Sequence, residues 1–163
     1  INKQADVVML LHLMGNEFDD ETIKENYAYY EKRTLHGSSL SPSIYSVMGL
    51  KVGDDSKAYR YLRRAAFIDL LNMQGNTREG IHAANTGGVW QTIVFGFAGV
   101  SQREDGKLRV CPNMHEEWQN LTFRLQYKGA WLEITADKNN NAEVKRLCGE
   151  PVEVEVNGKI EMI

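Results

Sequence analysis

Small hydroxyl residues, a glycine and a histidine stand directly before a predicted helix in the first quarter of the chain. The run is Arg33-Thr34-Leu35-His36-Gly37-Ser38-Ser39-Leu40-Ser41-Pro42. Ser41 is a residue type that caps helices, and Pro42 suits the first helical turn. Free backbone N–H groups and the positive end of the helix dipole would then face the loop, which favours phosphate or another anion. Taken alone, such a run is usually only a helix cap.

A second segment has the same character. Its sequence is Gly80-Ile81-His82-Ala83-Ala84-Asn85-Thr86-Gly87-Gly88-Val89-Trp90. It also brings a histidine and small residues to the start of an apolar helix, so the two loops together indicate that a phosphate-like group binds between them. Gly87-Gly88 could equally form a turn that lets two helices pack closely.

The composition is that of a folded protein with a slight acidic excess. The 163 residues are 42% hydrophobic and 25% charged, enough for one ordinary domain or two small parts with a real core. With 22 Asp and Glu against 19 Lys and Arg, no basic stripe indicates nucleic-acid binding. Cys111, Cys148 and the four histidines lack metal-ligand spacing, so we predict no metal site. The two cysteines leave a structural disulfide open, but free thiols in a reducing cytoplasm are favoured. No apolar run reaches the length of a membrane span.

The hydrophobic pattern predicts an α+β fold. Residues 1–100 have helical periodicity, and the helix at 4–14 is apolar nearly all round. We expect it to be buried on both sides, by neighbours that need not belong to this chain. Further helices are predicted to open at residues 19–21, 42 and 55–56, and a fifth covers residues 89–97.

After Gly99 the period becomes two. Alternating residues at 121–127, 132–136, 152–156 and 160–162, with turns at Lys128-Gly129 and Asn157-Gly158, predict an antiparallel sheet of about five short strands. We therefore place the domain boundary near residue 101, with a helical part at 1–100 and a β domain at 101–163.

Several runs stand in an order that resembles the C-terminal part of glycoside hydrolase family 65. They are Lys3-Gln4-Ala5-Asp6-Val7-Val8, Tyr29-Tyr30-Glu31, the serine-rich run at 33–41, Asp69-Leu70, Gly80-Ile81-His82-Ala83-Ala84 and Gly87-Gly88-Val89-Trp90. That family holds maltose, trehalose, kojibiose and nigerose phosphorylases. The resemblance implies that residues 1–100 are the last helices of an (α/α)6 catalytic barrel and that 101–163 form the C-terminal β domain. The chain would then be a fragment of a longer protein.

The resemblance also implies a reaction. A disaccharide such as maltose, trehalose or kojibiose would be cleaved with inversion to β-glucose 1-phosphate and glucose. Inorganic phosphate would serve as co-substrate, and no cofactor would be needed. An inverting hydrolase needs a carboxylate to activate water, whereas phosphate is already an anionic nucleophile.

The implied site residues are polar groups that bind phosphate or sugar, together with glycines that let backbone approach. Phosphate would be held by Ser38, Ser39, His82, Gly87 and Gly88, the glucosyl unit by Lys3 and Gln4, and His36 would support the loop. A lysine donates several hydrogen bonds and a glutamine both donates and accepts, which suits sugar hydroxyls. Tyr45 stands where many members carry a histidine, so it would tune the pocket or merely pack.

No segment of this chain matches the family's general acid. That residue would be a glutamate on an upstream barrel loop, and we interpret Glu31 and Glu79 as solvated or structural. Asp69 is interpreted as holding a loop by hydrogen bonds. The isolated chain is therefore expected to be inactive, to work with the rest of the barrel in the cytoplasm, and to allow a homodimer.

Two alternatives remain open. A family hydrolase would use water as the nucleophile and would need a second carboxylate near the site. Alternatively, residues 101–163 would be a non-catalytic carbohydrate-binding or assembly module, with the helices as an interface. Sugar binding by such a module would not depend on Lys3 or Ser39. The sequence does not predict which disaccharide linkage would be cleaved.

Overall fold

Two compact units make up the protein. The computed structural model describes residues 2–163. One part, the helical unit, reaches to Ile93, and the other, the sheet unit, covers Val94–Ile163. Val94 and Ala98 pack with the core of the sheet unit, so the structural division precedes residue 101, where the sequence pattern changes. The combination of helices and strands confirms the predicted α+β class.

Helices form the first unit, and acidic side chains cap two of them. Within residues 2–93 the α-helices are α1 (Asp6–Leu13), α2 (Asp20–Glu31), α3 (Ser41–Lys51), α4 (Asp55–Phe67) and α5 (Ala83–Gln91), and a π-helix, Thr92–Phe97, follows α5 directly. The Asp19 carboxylate accepts from the N–H of Thr22, and Asp54 accepts from Lys57. These acidic caps satisfy N–H groups that a helix leaves free, which explains why α2 and α4 begin as predicted.

The core of the helical unit lies between α1, α2 and α3. Helix α3 is buried from Ser41 to Gly49, and Val8 and Leu11 of α1 pack into the same cluster. Within the described residues, α1 packs through the side that carries Val8 and Leu11. Leu10 and Leu13 are 43% and 72% exposed, so the residues of this chain do not test the predicted burial of the other side.

Strands of the second unit form two sheets. In residues 94–163 they are β1 (Val100–Gln102), β2 (Leu108–Val110), β3 (Asn120–Tyr127), β4 (Ala130–Asp137), β5 (Ala142–Cys148), β6 (Glu153–Val156) and β7 (Lys159–Met162). The orders are β1-β2-β6-β7 and β3-β4-β5. The predicted number of about five antiparallel strands is too low, and β2 pairs with β6 in parallel. The three-residue strands β1 and β2 are too short to show a period.

Two tight turns fix the register of the hairpins. Lys128 and Gly129 both have positive φ, 48° and 83°, and so do Asn157 and Gly158, 52° and 80°. Positive φ at both central residues is the hairpin turn that matches the twist of the strands. These turns confirm the predicted hairpins between β3 and β4 and between β6 and β7.

A buried glutamate of the sheet unit pairs with two partly exposed arginines. Glu155 on β6 is 4% exposed, and its carboxylate accepts hydrogen bonds from Arg109 and Arg103. The Arg109 and then the Arg103 hydrogen bonds hold the pKa of Glu155 below its ordinary value. The carboxylate is therefore charged and paired at neutral pH.

None of the helices in residues 2–163 combines the length and apolar character that a bilayer crossing requires. Cys111 and Cys148 are both free and exposed, which confirms the prediction of free thiols.

Candidate functional site

The segment between α2 and α3, residues 32–40, forms a loop that we call the serine loop. Helix α3 begins at Ser41, with Leu40 at the cap position and no side-chain cap. The prediction that Ser41 caps this helix is therefore wrong. Ser38 Oγ instead accepts from the N–H of Leu40 at 3.3 Å, and Ser41 Oγ is buried without a partner among the described residues. The positive end of α3 thus opens on a loop of small residues.

The carbonyl groups of the serine loop are turned towards other elements. Arg64 on α4 donates to the carbonyl oxygen of His36 at 2.6 Å. Gln74 donates to the carbonyl oxygen of Gly37 at 3.0 Å. In a trans peptide the C=O and the following N–H point in opposite directions. The N–H groups of Gly37 and Ser38 therefore face away from Arg64 and Gln74.

These N–H groups are available to a ligand. Within residues 2–163, the backbone N–H groups of Gly37, Ser38 and Ser39 have no acceptor. Both serines are half-buried, so their hydroxyls are partly shielded from water yet reachable. Adjacent N–H groups, hydroxyls and a helix N-terminus form an anion-binding surface.

His36 points back into the protein. Its backbone is in the left-handed region, with φ of 51°, and its Nε2 lies 2.9 Å from the carbonyl oxygen of Glu31 and 3.1 Å from the Tyr61 hydroxyl. Tyr61 donates to the Glu31 carboxylate at 3.0 Å, and burial, reinforced by Glu31, raises the pKa of Tyr61. Since a carbonyl only accepts, Nε2 carries a proton. These contacts are those of a residue that supports the loop.

Tyr45 is a core residue. It is fully buried, and its hydroxyl lies 2.7 Å from Thr34 Oγ1. Thr34 in turn donates to the carbonyl oxygen of Tyr30 at 2.9 Å. Burial and the bond to Thr34 are those of a packing residue, which is the second of the two roles expected for Tyr45.

A further loop, residues 68–82, carries His82 at the start of α5, and we call it the His82 loop. Asp69 accepts twice from His82: Oδ2 from the backbone N–H at 2.8 Å, and Oδ1 from ring Nδ1 at 2.5 Å. The His82 ring hydrogen bond, then its backbone hydrogen bond, lower the pKa of Asp69. Asp69 thus holds the loop as a carboxylate, in agreement with the interpretation of its sequence position.

The last turn of α4 brings the two loops to the same end of the helical unit. Arg64 contacts His36 in the serine loop, and the next residue, Ala65, accepts from the side chain of Asn85 in α5 at 2.7 Å. Gln74 reaches from the His82 loop to Gly37 of the serine loop. The predicted phosphate-binding segments are therefore neighbours although they are far apart in sequence.

The two adjacent glycines of α5 differ in their surroundings. A Cβ on Gly88 would lie 2.5 Å from Ser43 Oγ and 2.9 Å from Ser43 Cβ, whereas a Cβ on Gly87 would meet nothing within 4 Å. Gly88 is buried and Gly87 is exposed. Gly88 thus permits α5 to pack on α3, and of the pair only Gly87 is open to a ligand.

Lys3 and Gln4 come directly after Asn2, whose backbone is hydrogen-bonded to the beginning of the serine loop. The N–H of Asn2 donates to the carbonyl oxygen of Arg33 at 2.8 Å, and the N–H of Leu35 donates to that of Asn2 at 2.9 Å. Both Lys3 and Gln4 are exposed. The link places the backbone of the predicted sugar-binding pair beside the beginning of the serine loop.

Sequence reasoning missed the residues that hold the serine loop from outside. Arg64, Tyr61 and Gln74 contact the loop through hydrogen bonds across 25 to 37 positions of sequence. Each belongs to a residue type that is usually solvated on a helix or loop, so no local pattern identifies them.

Both units have counterparts in known proteins. Residues 1–91 match the glycosyl hydrolase family 65 central catalytic domain, and residues 102–160 match the C-terminal domain of the same family. A kojibiose phosphorylase of Caldanaerobacter subterraneus is 52% identical over 96% of this chain and 20% of its own length. An alpha,alpha-trehalose phosphorylase of Geobacillus stearothermophilus is 41% identical over the same shares.

A maltose phosphorylase of Bacillus subtilis is 32% identical over 94% of the chain and 20% of its own length. A solved structure from the human microbiome, provisionally assigned as a kojibiose phosphorylase, superposes with a TM-score of 0.88 at 35% identity. That match covers 99% of this chain and 21% of the solved chain. The chain therefore spans about a fifth of the length of the relatives that it matches.

Proposed function

Because this chain belongs to glycosyl hydrolase family 65, we propose that it supplies the phosphate-binding side of the active site of an inverting disaccharide phosphorylase. The complete protein would cleave an α-linked glucose disaccharide with phosphate to β-glucose 1-phosphate and glucose. Several relatives that cover the chain are disaccharide phosphorylases, which supports this class of reaction.

The observation that carries the proposal is the orientation of the serine loop. Arg64 and Gln74 bind the carbonyl oxygens of His36 and Gly37, which leaves the following N–H groups directed to the other side. Phosphate bound there would accept from these N–H groups and from the hydroxyls of Ser38 and Ser39. Such bonds to a charged acceptor are about twice as strong as those between neutral groups.

His82 and Gly87 would complete the phosphate site. The ring of His82 is held by Asp69, and the surface of Gly87 is open. The phosphate oxygen would attack the anomeric carbon of glucose while a carboxylic acid protonates the departing sugar oxygen. We assign no residue of this chain as that acid, so residues 1–163 alone should not turn over.

The remaining assignments follow from the same proposal. Lys3 and Gln4 would bind hydroxyls of the glucosyl unit beside the serine loop. The reaction needs no cofactor, since phosphate is the second substrate. A cytoplasmic location and a homodimer are proposed with it.

Alanine substitutions in the complete polypeptide test the phosphate site. Ser39→Ala or His82→Ala removes one hydrogen bond to a charged ligand, about 1.5–3 kcal/mol, so the phosphate KM should rise by about 10- to 100-fold. The KM for disaccharide should stay close to the wild-type value. Ser101→Ala, at an exposed position of β1, serves as the matched control and should change neither constant.

A rise in the disaccharide KM with an unchanged phosphate KM would contradict the assignment. The two constants can be measured independently by varying one substrate while the other is held at saturation.

A further inference from the structure

Asp69 makes two hydrogen bonds to a single residue. Its two carboxylate oxygens accept from the backbone N–H and the ring Nδ1 of His82. The side chains of Asp69 and His82 are only 15% and 20% exposed, so water competes weakly for these contacts. One carboxylate thereby fixes both the main chain and the imidazole at the start of α5.

The ring contact determines which nitrogen carries the proton. A carboxylate can only accept, and its contacts with His82 keep Asp69 ionised, so Nδ1 must be the donor in this 2.5 Å contact. The other ring nitrogen, Nε2, has no hydrogen-bond partner among residues 2–163. It is the atom that His82 can present to a ligand.

The same contacts fix the orientation of the His82 ring as well as its tautomer. The backbone bond to Oδ2 anchors the residue that precedes the first turn of α5, and the ring bond to Oδ1 removes the freedom of the imidazole to rotate. Histidines with a defined role commonly use such a partner to set ring tautomer and orientation. Asp69 therefore sets both the tautomer and the direction of the His82 ring.

We propose that Asp69 is a positioning residue for the proposed phosphate site: it fixes the tautomer and direction of His82 so that the unprotonated Nε2 faces the phosphate and accepts a hydrogen bond from its P–OH group. The inference rests on the proposed function, because it requires His82 to bind phosphate. Asp69 itself does not contact the ligand, so its whole effect on phosphate passes through the His82 ring.

A double-mutant cycle in the complete polypeptide tests this dependence. Asp69→Asn keeps the size of the side chain but can no longer present a carboxylate to both N–H groups. It should raise the phosphate KM about tenfold and leave the disaccharide KM unchanged. In a protein that already carries His82→Ala, Asp69→Asn should cause no further rise, because the ring through which Asp69 acts is gone.

A merely structural role gives different results. Asn72 also holds the His82 loop, accepting from Thr77, and Asn72→Ala therefore loosens the loop without touching the carboxylate. Loss of phosphate affinity from loosening alone would persist in the His82→Ala background. If Asp69→Asn behaves in this additive way, or leaves the phosphate KM unchanged, the positioning role is overturned.

The cycle separates failure of the inference from failure of the proposed function. If His82→Ala leaves the phosphate KM unchanged, both are overturned. If His82→Ala raises it and Asp69→Asn does not, only the role of Asp69 fails. Ring ¹⁵N NMR adds an independent readout: the neutral His82 ring should carry its proton on Nδ1 in the wild type and shift towards Nε2 in Asp69→Ala. A wild-type ring protonated on Nε2 would contradict the proposal.

Discussion

The helical unit and the sheet unit bury polar side chains to different extents. In the sheet unit, of the residues described, Glu155 is the one polar or charged residue with a buried side chain, and it is paired with two arginines. In the helical unit six such residues are buried: Thr34, Ser41, Ser43, Ser46, Asn85 and Thr92. Buried side-chain atoms without a partner occur, within residues 2–163, only in the helical unit.

The difference indicates that the helical unit carries the functional site, whereas the sheet unit is built for stability. Native proteins satisfy nearly all buried polar groups, and the exceptions concentrate at functional sites. Ser41 Oγ and His36 Nδ1, which lack partners among residues 2–163, lie at the end of the helical unit that carries the serine loop. The sheet unit, with its apolar interior, has the character of a domain built for stability.

The largest loss of stability should come from a steric clash introduced into the sheet unit. A Cβ on Gly99, where φ is 63°, would lie 1.7 Å from the carbonyl oxygen of Cys111. Gly99→Ala should therefore lower the free energy of unfolding by about 3–5 kcal/mol, measured by urea denaturation. Gly158→Ala is the control, since φ is 80° but the space is open, and it should cost about 1–2 kcal/mol. Equal losses would show that backbone conformation, not packing, dominates.

Adjacent glycines of α5 should respond in opposite directions. Gly88→Ala forces its Cβ onto Ser43 and should destabilise the helical unit by about 1–3 kcal/mol. Gly87→Ala, at an exposed helical position, should stabilise it by about 0.5–1 kcal/mol. If phosphate approaches the Gly87 backbone, the same change should raise the phosphate KM of the complete protein. A Gly87→Ala variant that is more stable and has an unchanged phosphate KM would show that Gly87 does not belong to the phosphate site.

Removing the Tyr45 hydroxyl should have a smaller effect. Tyr45→Phe deletes the hydrogen bond to Thr34, while Thr34 keeps its bond to Tyr30. We expect a loss of about 1 kcal/mol in the free energy of unfolding and no change in substrate KM. A large change in the disaccharide KM would mean that Tyr45 shapes the pocket after all.

Strong acid, below about pH 4.3, should weaken the sheet unit gradually. Because Arg109 and Arg103 lower the pKa of Glu155 in the folded state, its contribution to stability is present above the unfolded pKa of about 4.3 and is lost as the pH falls through the lower folded value. The thermal midpoint should decline over that range, and Glu155→Gln should remove this part of the decline. An identical pH profile in the variant would exclude Glu155 as the cause.

Local signals predicted much of this fold. The acidic residues at 19–21 and at 55 predicted the starts of α2 and α4, and the structure adds Asp54 as the cap of α4. Asn157-Gly158 marks a hairpin because few residue pairs tolerate two positive φ angles. The parallel pairing of β2 with β6 was not predictable, since it joins a three-residue strand to a partner far along the chain.

In the candidate site, too, local sequence predicted some features and not others. The serine loop and His82 are recognisable from residue types, whereas Ser41 was expected to be a cap and proves to be the first helical residue. Gly87 and Gly88 look alike in sequence, and only the approach of Ser43 distinguishes them. The contacts of Arg64 and Gln74 with the serine loop depend on tertiary packing, which no local pattern contains.

Phosphate dependence of disaccharide cleavage by the complete polypeptide tests the central claim most directly. Kojibiose, trehalose and maltose would each be incubated with and without inorganic phosphate, and the sugar products followed by ³¹P and ¹H NMR. We predict that one of them is cleaved only when phosphate is present and yields β-glucose 1-phosphate. Cleavage at equal rates without phosphate would identify a hydrolase and contradict the assignment of the serine loop.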